Sequence, residues 1–92
     1  MKVNFHATLR RITGRKTVEL DLPGGTTVDS LLTAVVERYP EMREKLFHAD
    51  GKLLGQVHVF INGRDAPFLD RKLATVLEEG DTVDIFPAVA GG

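Results

Sequence analysis

The chain has 92 residues, 42% of them apolar, enough for one small domain with a single core but not for a deep internal active site and a second lobe. Its 12 Lys and Arg nearly balance 13 Asp and Glu for a formal charge of -1, so no general field favours nucleic acid or an anionic membrane, and neither is expected as a partner. With no cysteine there can be no disulfide, thiolate metal site or thiol nucleophile, and no apolar run approaches the ~20 residues of a membrane span.

Met1-Lys2-Val3-Asn4 leads straight into alternating sequence rather than a signal-peptide core, and a cytoplasmic protein is expected. Residues 2–9 alternate with period two, placing Val3, Phe5, Ala7 and Leu9 on one face and Asn4, His6 and Thr8 on the other. Thr13-Gly14-Arg15 supplies a turn and residues 17–22 resume the alternation, which predicts an antiparallel hairpin closed at Pro23-Gly24-Gly25. Thr27 is placed to cap a helix, with Asp29 near the positive end of its dipole. Val28, Leu31, Leu32, Val35, Val36 and Tyr39 form one apolar stripe at helical spacing, and Pro40 stops the helix. Residues 41–47 predict a further short helix with Met42 and Leu46 inward.

After Asp50-Gly51, residues 56–61 form a strand and Asn62-Gly63 is the dipeptide preferred in type I′ hairpin turns, so residues 64–67 predict a short return strand. Residues 69–77 are apolar but irregular, and Glu79-Gly80-Asp81 turns into a last strand over residues 82–86. A hairpin, a helix and then strands joined by short turns make an α+β domain in which one helix covers one face of a mixed sheet. There is no repeat, linker or low-complexity tract, so residues 1–92 are read as one domain.

The sequence closes Ala88-Val89-Ala90-Gly91-Gly92. Two glycines without Cβ atoms make a thin, freely rotating thread that fits a narrow channel. An α-carboxyl titrates near ~3.5, so a main-chain carboxylate on that thread is ionised at neutral pH and can attack the α-phosphate of ATP. A floppy glycine-rich terminus is the plainer explanation of the same residues.

Taken with Leu73-Ala74-Thr75 and the run Glu79-Gly80-Asp81-Thr82-Val83-Asp84-Ile85-Phe86-Pro87, this ending resembles the β-grasp, ubiquitin-like sulfur carriers. That family includes the small subunit of molybdopterin synthase (MoaD), the thiamin carrier ThiS and the cysteine-biosynthesis carrier CysO. Ala88-Val89-Ala90 after Pro87 is similar to the CysO type. The resemblance implies a mixed sheet of four to five strands with one main helix packed on it, and a flexible tail at 87–92. It also implies that an ATP-dependent, ubiquitin-activating-like sulfurtransferase adenylates Gly92, and that sulfur then replaces the adenylate to give a thiocarboxylate. Pro87, Ala88, Val89, Ala90 and Gly91 would thread into the partner. No cofactor would be bound permanently, ATP being used by the activating enzyme, and the thiocarboxylate would go to a sulfur-consuming biosynthetic enzyme of cysteine or molybdopterin type. Such a chain is a protein cosubstrate without catalysis of its own, though it counts as a subunit if it is the small subunit of molybdopterin synthase. Thiocarboxylate chemistry also explains how a chain lacking cysteine carries sulfur.

Two further readings stay open. A ubiquitin-like modifier would join Gly92 to target lysines by an isopeptide bond after the same activation. A β-grasp interaction domain would leave its tail idle.

Alternation turns Val57, Val59 and Ile61 inward and leaves His58 and Phe60 on the other face, and in the last strand Phe86 faces outward. If these strands are neighbours, Phe60, Phe86, His58 and His6 form a docking patch; a loop such as the one carrying Phe68 would otherwise cover them. His6, His48 and His58 have neither the cysteines nor the spacing of a metal site, and no metal is expected. Arg10, Arg11, Arg15 and Lys16 cluster at the first connection, either to meet an acidic partner surface or a phosphate, or as a solvated turn that deters edge pairing. Gly24-Gly25 lacks the surrounding pattern of a phosphate loop. No Ser-His-Asp or paired-carboxylate arrangement is supported.

Overall fold

A computed structural model describes residues 1–65 and 72–87. The first alternation ends sooner than its pattern. β1 (Lys2–Phe5) buries Val3 and Phe5, and Ala7 then takes φ 52, a left-handed conformation that breaks the strand. In place of the expected strand end and loop comes α1 (Leu9–Thr13), which buries Leu9 and half-buries Ile12 while Arg10 and Arg11 face solvent. Gly14 closes it at φ 76, its N–H donating to the Arg10 carbonyl over 2.8 Å. Ala7, which period two would bury, is exposed. Leu9 and Ile12 at i, i+3 followed by a capping glycine were the helical signal, masked because positions 3, 5, 7 and 9 also happen to alternate.

β2 (Thr17–Glu19) returns antiparallel with Val3 opposite Val18. It is shorter than residues 17–22, although the Leu20 N–H still donates to the Met1 carbonyl at 2.9 Å. α2 (Val28–Arg38) begins where expected: Thr27 is extended and its hydroxyl accepts from the Ser30 N–H at 3.1 Å. Its stripe of Val28, Leu31, Leu32, Val35 and Val36 is buried. Pro40 opens a 3₁₀ turn (Pro40–Met42) that runs into α3 (Arg43–Leu46), with Met42 and Leu46 buried.

β3 (His58–Ile61) and β4 (Arg64–Asp65) pair antiparallel around Asn62 at φ 51 and Gly63 at φ 85, the two left-handed positions of a type I′ turn. The remainder of the expected return strand, to Pro67, lies outside the described residues. A 3₁₀ turn (Lys72–Ala74) precedes β5 (Thr82–Phe86), which lies between β1 and β3, parallel to the first and antiparallel to the second.

The resulting sheet has the order β2-β1-β5-β3-β4. Parallel strands need a long crossover, and α2 lies within the connection between β1 and β5. One sheet face carries Val3, Phe5, Val59, Ile61, Val83 and Ile85 into a core closed by the α2 stripe, Met42, Leu46 and Leu77. This is the β-grasp arrangement. Asn62 also joins the start of β5 to the hairpin: its Oδ1 accepts from the Thr82 N–H at 2.9 Å and its Nδ2 donates to Asp81 Oδ1 at 2.8 Å. Among the described residues no helix is long and apolar enough to cross a membrane.

Candidate functional site

Because the core takes alternate residues from one face, the other face of the central strands is decided by the same period. The pairing His58↔Phe86 and Phe60↔Asp84 sets β3 against β5, and Asn4↔Asp84 sets β1 on the other side. Residues distant in the chain therefore share one surface at the end of the sheet where β5 finishes.

Phe86 sits at the centre of that surface and is 37% exposed. The His6 ring stacks on it with centroids 4.1 Å apart and planes within 5°. Phe60 meets it edge-on at 5.3 Å and 78°. His58 is exposed, directly across the ladder from Phe86, and its ring lies 6.3 Å from Phe60. Aromatic pairs of this kind add about 0.5–1.5 kcal/mol beyond the area they bury, so the cluster is held together even though one side is open to water.

A polar relay fixes its edge. Asp84 Oδ1 accepts from Asn4 Nδ2 at 3.1 Å and lies 2.8 Å from His6 Nε2, and Asn4 Oδ1 accepts from the Thr17 hydroxyl at 2.6 Å. The His6 and Asp84 side chains are only 20% and 22% exposed, so the contact is partly shielded and holds the imidazole flat against Phe86. Sequence reasoning identified Phe60, Phe86, His6 and His58 but missed Asp84 and Asn4. The signal was available: both alternate onto the same face as the aromatics.

The remaining candidates fall elsewhere. His48 is exposed in the α3–β3 connection, where its N–H donates to the Lys52 carbonyl at 2.7 Å. Among the described residues no group of three His, Cys, Asp or Glu side chains is placed to hold a metal. Arg10, Arg11, Arg15 and Lys16 are all exposed around α1 and the chain that leaves it. Pro87, expected in the tail, is buried and belongs with the body of the domain. Residues 88–92, including Gly91 and Gly92, and the loop of Phe68 lie outside the described residues.

The surface is thus an open aromatic face bordered by polar groups, suited to recognition, at the point where the chain leaves the sheet. The family model described as "ThiS family" matches residues 3–92. Small archaeal modifier protein 3 of Haloferax volcanii is 35% identical over 92 residues, covering 100% of this chain and 98% of that protein. The sulfur carrier protein CysO of Mycobacterium tuberculosis is 35% identical over 81 residues, covering 86% of this chain and 83% of that one. The crystal structure of the Amycolatopsis orientalis BexX/CysO complex contains a chain that superposes with TM-score 0.78 at 34% identity, covering 99% of this chain and 98% of that one.

Proposed function

The chain belongs to the ThiS family, and we propose that it is a sulfur carrier whose reactive residue is Gly92. The observation that carries this reading is the aromatic face around Phe86, which ends one residue before Pro87 and the segment Ala88-Val89-Ala90-Gly91-Gly92. A carrier needs a docking surface and a slender reactive extension close together, and here they are adjacent in the chain. Five residues follow Pro87, and at ~3.3 Å each their extended length is roughly 17 Å, enough to place a carboxylate inside the active site of another protein.

A carboxylate is a poor electrophile until its oxygen becomes part of a leaving group. In the proposed sequence a Gly92 carboxylate oxygen attacks the α-phosphate of ATP, pyrophosphate departs and an acyl adenylate forms. Hydrosulfide then adds to the acyl carbon, the carbon–oxygen bond to AMP breaks, and a proton is released as the thiocarboxylate forms. The activating enzyme supplies the nucleotide site and a biosynthetic enzyme consumes the sulfur, while this chain supplies recognition and the reacting carboxylate. That a CysO occurs in complex with BexX in Amycolatopsis orientalis supports the expectation of a partner protein.

The test is mass spectrometry of the intact chain after incubation with the activating enzyme of its own genome, ATP and sulfide. A gain of about 16 Da, the replacement of oxygen by sulfur, is expected at Gly92. Absence of both that gain and ATP–pyrophosphate exchange would overturn the reading. The full-length similarity to small archaeal modifier protein 3 favours a second one, in which a lysine ε-amino group attacks the adenylate. Gly92 found in isopeptide linkage, without thiocarboxylate, would select it.

A further inference from the structure

Although the formal charge is only -1, the charges are separated along the sheet. Between residues 3 and 18 there are four basic residues and no acidic one. These four, Arg10, Arg11, Arg15 and Lys16, are exposed, and among the described residues none has a side-chain hydrogen bond or ion pair. Arg10 and Arg11 line an open depression with Ala7 and Gly14. At the opposite end, where β5 begins, Glu19, Glu79 and Asp81 line a second depression together with Lys2 and Met1, whose ammonium pairs with Glu19 at 3.3 Å, so acidic groups there outnumber basic ones only narrowly. Because β1 and β5 are parallel, the connection after β1 lies at the end of the sheet where β5 stops. The basic edge and the chain exit therefore share one end of the molecule, and His6 leads directly from the aromatic face into that edge.

The local backbone supports a built surface. Ala7 holds φ 52, a conformation costly for a residue with a Cβ, and Gly14 reverses the chain at φ 76. Between these turns Leu9 anchors α1 in the core and leaves both arginines outward. Exposed cations without internal partners contribute little to folding, but they act on the approach of an oppositely charged surface.

We propose that Arg10, Arg11, Arg15 and Lys16 form a docking edge for an acidic rim on the protein that receives the C-terminal segment, steering the chain exit toward that protein's channel. This rests on the carrier reading and names the chemistry of the partner surface. A protein surface is favoured over nucleic acid because the cationic edge is short, four residues around one connection, and is not continued as a basic stripe at the other end, where Glu19, Glu79 and Asp81 stand with Lys2 and the Met1 ammonium.

The experiment measures association of the full chain with its purified activating enzyme across a salt series, together with ATP–pyrophosphate exchange. Arg10→Glu/Arg11→Glu should slow association about tenfold near 0.05 M salt, and the deficit should shrink toward about 0.5 M as screening shortens the field. Arg15→Glu/Lys16→Glu lies outside α1 and should act in the same direction, which covers the case of the first variant folding poorly. Lys2→Glu/Arg64→Glu makes the same charge change at the other end of β5 and should stay within about twofold. Exchange by the wild type with unaltered rates in both edge variants, or an equal loss in the Lys2/Arg64 control, would overturn the docking edge alone. No exchange by the wild type would bring down the carrier reading and this inference with it. Tighter binding of an RNA duplex than of the enzyme through the same arginines would also overturn it.

Discussion

The role proposed for Gly91 and Gly92 rests on slimness and reach, and the two properties can be separated. Deleting Gly92 shortens the thread by one residue, whereas Gly91→Val keeps the length and adds a β-branched side chain where a channel has to be narrow. Both variants are expected to retain the wild-type melting temperature, since the described core ends at Pro87, and to lose most ATP–pyrophosphate exchange. Wild-type exchange by the deletion variant would sink the terminal-carboxylate mechanism. Phe60 tests recognition instead of chemistry. It is half-buried on the open face and packs on Phe86, so Phe60→Ala should weaken binding of the activating enzyme by about 30-fold, the equivalent of ~2 kcal/mol, in a chain that still folds. An unchanged dissociation constant in titration calorimetry would remove Phe60 from the site.

At the scale of elements, α1 is the part that local pattern misjudged. Its five residues are too few to be stable alone, and it forms because Leu9 reaches the core while Gly14 accepts a left-handed backbone. Nothing lies within 4 Å of the position a Cβ would take at Gly14, so the conformation alone sets the cost of a side chain there. Gly14→Ala should destabilise the domain by about 1 kcal/mol, a fall of roughly 5 °C in melting temperature. An unshifted thermal transition would mean that the turn relaxes without loss. α2 was plainer: a capping threonine, an apolar stripe and a stopping proline agreed with one another, and all three appear in the structure. The Asn62-Gly63 turn was equally legible, because its two left-handed positions suit asparagine and glycine. The clasp from Asn62 to Asp81 and Thr82 was not, since it depends on a contact 19 to 20 residues away.

For the whole molecule, the described sheet and its aromatic face precede residues 88–92 in the chain, so the proposed docking and the proposed chemistry can be tested separately. A chain ending at Pro87 should fold, bind the activating enzyme within about tenfold of the full chain and inhibit exchange competitively. Failure to compete, with the fold intact by circular dichroism, would place the dominant binding energy in residues 88–92 instead of the sheet. The charge separation belongs to this scale as well, for it arises from parallel pairing of the first and last strands and disappears in the net charge.

The sequence alone determined the faces of the strands, the span of α2, the β3–β4 turn and the resemblance to β-grasp carriers, because these depend on periods of 2 and 3.6 residues and on short motifs. It named Phe60, Phe86, His6 and His58 by alternation, and made their meeting conditional on strand order. Only the tertiary structure decided that β5 inserts between β1 and β3, bringing His6 flat onto Phe86 and within 2.8 Å of Asp84, 78 residues away. Likewise the end of β1 at Phe5 followed from the left-handed turn at Ala7 and the burial of Leu9, where core packing prevailed over a local alternation that fitted strand equally well.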